Sequence, residues 1–213
     1  PKLVILCYHR VENYTSDPVK ITVSKNNFIK QINFLKEFAK IINPEQLFES
    51  LKKRKNLPKR SVLLTFDDGY SSYKQTMDFL FKESISAIFF ISLRKEKYWW
   101  DILSKILFEN QHVKKSNLIK INNLLTEIGC HFKIEESISS DLMNVLRKWS
   151  VTDKVFPFNR NKAFYFLAKE MEDIDHYTKN RMLDIVNSLS NEKRNFSYLL
   201  NEKFTNYHKI GYH

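Results

Sequence analysis

Two cysteines in 213 residues, and no apolar run long enough to cross a bilayer, are the first things this sequence withholds. Cys7 lies in a short apolar run and Cys130 stands far from it, with no Cys-x-x-Cys pair, so neither a zinc knuckle nor a disulfide framework is expected. A membrane-spanning helix needs at least about 18 continuous apolar residues, so stable membrane insertion is not expected either. Pro1 to Cys7 lacks the layout of a signal peptide. Because the sequence does not start with Met, a leader ahead of it is still allowed, and the expected location is cytoplasmic or cell-envelope associated. Internal repeats and low-complexity tracts are also missing.

What is present is a large cationic excess, 35 Lys and Arg against 24 Asp and Glu, for a formal charge of +11. A basic chain can seek nucleic acid, but only where the charge is gathered on one face. Here the lysines are spread over nearly every segment. The densest run, Lys52 to Lys55 with Lys59 and Arg60 behind it, falls at the end of a predicted helix, where cations suit the negative pole. No nucleic-acid partner is expected. With 43% hydrophobic residues the chain can bury a real core, and its length suits one domain carrying a large insertion.

Leu3 to Tyr8 is apolar throughout and too short for a helix, so it reads as a strand buried on both faces. Ser24 caps a helix with Phe28, Ile32, Leu35 and Phe38 on one face, and Ala39 to Ile42 is a short strand. Asn43-Pro44 starts a second helix, with Leu47, Phe48 and Leu51 as its apolar face. Ser61 to Phe66 is the clearest buried strand. Ser71 or Ser72 then caps a helix bearing Tyr73, Met77, Leu80 and Phe81, which leads to the strand Ala87 to Ile91. This alternation is the rhythm of a parallel sheet or barrel.

From Tyr98 to about Thr205 every periodic segment is helical. Four or five helices are expected, with apolar faces such as Leu103, Ile106 and Leu107, then Ile121, Leu124 and Leu125, and then Leu142, Val145, Leu146 and Trp149. His208 to Tyr212 returns to a strand. The expected fold is therefore α/β, four parallel strands with their helices, interrupted by a large all-α insertion. The expected divisions are residues 1–95, 96–205 and 206–213.

Chemistry gathers where Ser61 to Phe66 ends. Asp67-Asp68-Gly69 places two adjacent carboxylates at the carboxyl end of a buried strand, the edge from which α/β enzymes work. Holding both charges near a core is costly unless a cation or a proton offsets their repulsion. Taken alone, Asp-Asp-Gly also reads as an ordinary turn in which Asp caps the next helix. His9, at the end of the first strand, is expected to face the same mouth as Asp67.

Thr65-Phe66-Asp67-Asp68-Gly69-Tyr70 resembles the first signature of the polysaccharide deacetylases, carbohydrate esterase family 4. Cys7-Tyr8-His9-Arg10-Val11 resembles the end of that family's first strand, and Ile210-Gly211-Tyr212-His213 the opening of its second signature. Tyr98-Trp99-Trp100-Asp101 is similar to members with a long helical insertion. The resemblance implies a partial, deformed TIM-like (β/α) barrel and hydrolysis of acetyl groups from N-acetylated sugars of a polysaccharide. It implies Asp67 as general base and Asp68 and His213 as metal ligands. The second family histidine lies past His213, so the piece itself is expected to be inactive. A divalent metal is implied, zinc first, with cobalt, nickel or manganese as alternatives. His9 and Trp99 are candidate substrate contacts, and the expected partner is an acetylated glycan. Two other readings stay open: a different metal hydrolase acting on a phosphate or an amide, and a non-catalytic glycan-binding or scaffolding protein. His208 is set aside as a ligand because its offset of five from His213 places it at the other end of the strand.

Overall fold

The computed structural model describes residues 3–173, 175–200 and 208–212. The chain divides into two compact units, Pro1–Tyr14 with Ile21–Lys95 and Arg194–His213, and Thr15–Lys20 with Glu96–Lys193. Thr15–Lys20, inside the stretch read as barrel, thus groups with the helical unit, where the Val151 N–H donates to the Pro18 carbonyl at 2.8 Å. Among the described residues no helix is long and apolar enough to cross a membrane.

The first unit is built on strands β1 (Leu3–Tyr8), β2 (Arg10–Val11) and β3 (Thr22–Val23), helix α1 (Lys25–Phe38), β4 (Lys40–Ile41), α2 (Pro44–Lys53), β5 (Ser61–Phe66), α3 (Tyr73–Lys82), β6 (Ile88–Ile91) and β7 (Lys209–Tyr212). Five strands form one parallel sheet in the order β1-β5-β6-β7, with β4 also paired to β5. The sheet is open among the described residues, as a partial barrel requires. β5 lies at its centre, with neighbours along both edges, and all six of its residues are buried. An aromatic column fills the core beside it. Phe66 stacks on Phe89 at 4.5 Å and on Tyr8 at 5.3 Å, and Phe28 meets Tyr8 edge-on at 5.1 Å.

Helix starts follow their sequence signals unevenly. The Ser24 hydroxyl caps α1 by accepting the Asn27 N–H, and Asn43 forms a reciprocal capping box with Gln46 on α2. Ser72 holds the cap position of α3 without a capping hydrogen bond, so the expected serine cap is not made. Burial departs from expectation at three places. Val4 and Ile5 of β1 are 48% and 54% exposed, because β1 has a strand neighbour on one side only among the described residues. Phe38 of α1, and Phe48 and Leu51 of α2, also face outward. In the helical unit Leu142 and Val145 are exposed, while Met143 and Leu146 take the core positions.

The helical unit contains α4 (Trp99–Ser104), which runs into a π-helical turn over Lys105–Glu109, then α5 (Lys115–Glu127), α6 (Met143–Lys148), α7 (Asn159–Asp173) and α8 (His176–Asn187). Its core joins Leu103, Leu107, Phe108, Ile121, Leu125 and Phe164. A helix end leaves carbonyls without backbone partners, and buried ones must be satisfied by side chains. Two arginines do this for the π turn. Arg147 donates to the Phe108 and Glu109 carbonyls at 3.0 and 2.8 Å, and Arg160, wholly buried, donates to those of Leu107, Asn110 and Gln111 at 3.3, 2.7 and 2.8 Å.

Candidate active site

Strand geometry assembles the site. Side chains alternate along a strand, so Cys7 and His9 leave one face of the chain and Thr65 and Asp67 leave the corresponding face of β5. The parallel register pairs Cys7 with Thr65, and the Asp67 N–H donates to the Tyr8 carbonyl at 2.8 Å, carrying the ladder past Phe66. His9 and Asp67 therefore arrive level with one another. One ligand atom from each of Cys7, His9 and Asp67 lies within 4.8 Å of the other two.

The backbone turns sharply directly after Asp67. Asp68 has φ +78° and Gly69 φ +73°, so the left-handed bend begins one residue before the glycine. Asp tolerates this region better than most residues but at some cost, and such strain persists only where surroundings enforce it. Here they do. The Tyr73 hydroxyl donates to the Asp67 carbonyl, and Arg194 Nη2 donates to the carbonyls of Asp68 and Gly69. Arg194 Nη1 reaches the Ser92 carbonyl at 2.9 Å, which ties the turn to the end of β6.

Arg10 fastens the other side. It is 2% exposed, donates from Nε to the Thr22 hydroxyl at 2.7 Å, and places its guanidinium 3.7 Å from the Tyr14 ring and 5.2 Å from the Tyr70 ring. The segments Tyr8-His9-Arg10-Val11 and Thr65 to Tyr70 thus meet through the cation–π contact of Arg10 with Tyr70.

The electrostatics favour a cation. Asp67 Oδ1 is buried and has no hydrogen-bond partner. A buried acceptor left unpaired is costly, and a bound ion or a substrate proton would relieve it. Burial raises the Cys7 thiol pKa, the Thr65 hydroxyl opposes that rise, and the charges of Asp67 and Asp68 add to it. A carboxylate, an imidazole and a thiol are a donor set that fits a divalent ion of the zinc type.

The remaining sequence candidates fall as follows. Asp68 sits in the turn beside Asp67, whereas His213 lies outside the described residues. Trp99 belongs to the helical unit, half-buried and packed edge-on to Trp100 at 5.4 Å and against Phe164 at 6.0 Å. His208 is fully buried. Its Nδ1 accepts the Ala87 N–H at 3.3 Å and its Nε2 lies 3.4 Å from the Met77 carbonyl, and burial lowers its pKa to about 4. A cavity of about 440 Å³ lies elsewhere, within the helical unit, lined in part by Lys97, Lys105, His112 and Glu192.

Sequence reasoning missed Cys7, Arg10 and Arg194. Cys7 was legible in principle, since it lies in β1 two residues before His9, the spacing at which extended-chain side chains share a face. Arg194 carried no local signal, because the carbonyls it holds are 125 and 126 residues away in sequence.

Residues 54–115 match the family model described as polysaccharide deacetylase, a span that includes β5, the Asp67–Gly69 turn and β6. Among solved structures the chain is similar to the de-N-acetylase from Aggregatibacter actinomycetemcomitans, at 26% identity over 42% of this chain and 37% of that one, with a TM-score of 0.38. It is also similar to IcaB from Ammonifex degensii, at 22% identity over 60% of this chain and 67% of that one, with a TM-score of 0.39. A third is the Streptococcus pyogenes deacetylase PplD in complex with acetate, at 17% identity over 89% of this chain and 80% of that one, with a TM-score of 0.37. The chain spans 37% of the first of these. No curated protein matches it.

Proposed function

We propose, on the premise that residues 54–115 belong to the polysaccharide deacetylase family, that this protein hydrolyses acetyl groups from N-acetylated sugar units of a polysaccharide in a metal-dependent reaction. The observation that carries the reading is the buried, unpartnered Oδ1 of Asp67 at the carboxyl end of the central strand. An acceptor oxygen that no hydrogen bond occupies is placed to take a proton.

In this reading Asp67 accepts the proton of the attacking water, and Asp68 with His213 holds the metal. A divalent ion, zinc or alternatively cobalt, nickel or manganese, supplies polarisation of the acetyl carbonyl and a more acidic water when bound. The pinned turn keeps the two carboxylates on separate tasks, because Tyr73 and Arg194 hold the backbone on either side of the bond between them. His9, level with Asp67, orients that carboxylate or meets the sugar. Trp99 offers an aromatic surface to a sugar ring.

Acetate release from acetylated chito-oligosaccharides, measured together with metal content for the full-length wild-type protein and its Asp67→Asn variant, tests the reading. Loss of a general base costs about 10² to 10⁴-fold in rate. The variant is expected to fall by that factor while its circular dichroism stays unchanged. Equal release by the two proteins refutes the assignment of the base. Glycan binding by a wild type that releases no acetate would mark a non-catalytic protein instead.

A further inference from the structure

We infer that Cys7, His9 and Asp67 form a thiolate-containing Zn²⁺ site, separate from the ligands Asp68 and His213 of the proposed deacetylase metal, and that an ion seated there is inhibitory. Three observations carry the site. The β1–β5 register and the strand pleat deliver a sulfur, a nitrogen and an oxygen donor to one point, with all three ligand atoms within 4.8 Å of one another. One oxygen of the Asp67 carboxylate, Oδ1, is buried without a hydrogen-bond partner. The thiol is exposed, so an ion can reach it from solvent.

The chemistry selects the ion. Ligand atoms around a tetrahedral zinc, bonded at about 2.0 to 2.3 Å, stand about 3.5 Å apart, so side-chain rotation alone closes the cluster. Sulfur and imidazole donors favour zinc, and cobalt as its spectroscopic substitute, over magnesium and calcium. Three protein ligands leave one position for water. Thr65 lies opposite Cys7 in the parallel register and so neighbours the sulfur. On binding, the Cys7 S–H bond breaks, its proton leaves to solvent and a metal–sulfur bond forms with no change of oxidation state. The site itself stands on geometry alone, whereas the inhibition rests on the proposed role of Asp67, whose carboxylate cannot both ligate this ion and accept a proton.

Cobalt titration of the intact protein tests the site without reference to catalysis. Wild type is expected to show the near-ultraviolet band of a thiolate–cobalt bond, Cys7→Ser to lose it, and Cys130→Ser to keep it. His9→Ala should bind at least about tenfold more weakly, since even outer-shell partners are worth that much. A measurement that needs no variant is alkylation of Cys7 by iodoacetamide, which Zn²⁺ should slow at least about tenfold. A missing band in the wild type, a band that survives Cys7→Ser, or alkylation indifferent to Zn²⁺ overturns the site. If the band appears and acetate release continues at saturating Zn²⁺, the site stands and the role given to Asp67 fails.

Discussion

Arg160 shows what a single buried charge can be asked to do. Its side chain is fully buried, and its guanidinium donates to the carbonyls of Asn110, Gln111, Glu135 and Glu136 at 2.7 to 2.9 Å. The Glu135 carboxylate accepts the backbone N–H groups of Asn159 and Arg160, so its charge stays close by without forking onto the guanidinium. Burial lowers the arginine's pKa, and Glu135 opposes that fall. Arg160→Ala would leave several buried carbonyls unpaired, and breaking a buried charged network costs about 3–5 kcal/mol. Arg160→Lys is expected to rescue little, because an ammonium cannot reproduce the planar fork. Urea denaturation of the two variants checks both statements. His208 sets a pH dependence of a different kind. Its folded-state pKa is lowered from 6.5 to about 4, so above pH 6.5 both folded and unfolded chains carry it neutral. As pH falls from 6.5 towards 4 the unfolded chain takes up a proton that the folded one refuses, and roughly 3 kcal/mol of stability is lost. In His208→Phe, whose ring can keep the contact with Phe89, that part of the acid loss should vanish from denaturation midpoints measured between pH 7 and 4. An unchanged pH slope would contradict it.

At the scale of elements, the turn after β5 separates strain from function. Asp68 sits at φ +78°, where a Cβ carries a steric penalty that glycine escapes. Replacing Asp68 by Ala or by Gly removes the same carboxylate and every interaction it makes, so the difference between the two variants isolates the backbone. A left-handed residue with a Cβ costs about 1–2 kcal/mol, and the extra freedom of glycine in the unfolded chain returns part of that. Asp68→Gly is therefore expected to be about 1 kcal/mol more stable than Asp68→Ala, with both inactive in acetate release. Equal stabilities would mean that the bend relaxes in the variants. The strand and helix order was readable because β5 is apolar at every position and because Asn43-Pro44 and Ser24 are local start signals. Exposure at Val4, Ile5, Phe48 and Leu51 was not readable, since it depends on whether a neighbour exists, which no local pattern encodes. The same limit explains the site. Asp67, Asp68 and His9 announce themselves by residue type at a strand end, whereas Arg194 acts across more than a hundred residues and reads in sequence as one more surface cation.

For the whole molecule, two opposing surface properties decide behaviour in solution. The first unit exposes Val4, Ile5, Phe34, Phe38, Phe48 and Leu51, together with a parallel sheet that is open among the described residues. An uncovered strand edge beside apolar side chains is a template for pairing with another chain. Against this stands the net charge of +11, which holds like molecules apart. Charge repulsion between molecules is screened over about 10 Å at 0.1 M salt and about 3 Å at 1 M, whereas apolar association strengthens in salting-out ions. The purified chain should therefore remain dispersed at low ionic strength and self-associate as sodium sulfate is added. Ile5→Lys, which sets a charge on the exposed edge strand, should move the onset to higher salt. Static light scattering across a salt series reads both effects. If scattering instead falls with added salt, association runs through the cationic surface and the exposed sheet is not the adhesive element. A sharp, reversible thermal transition at high salt with no rise in scattering would show that the apolar faces are covered in solution.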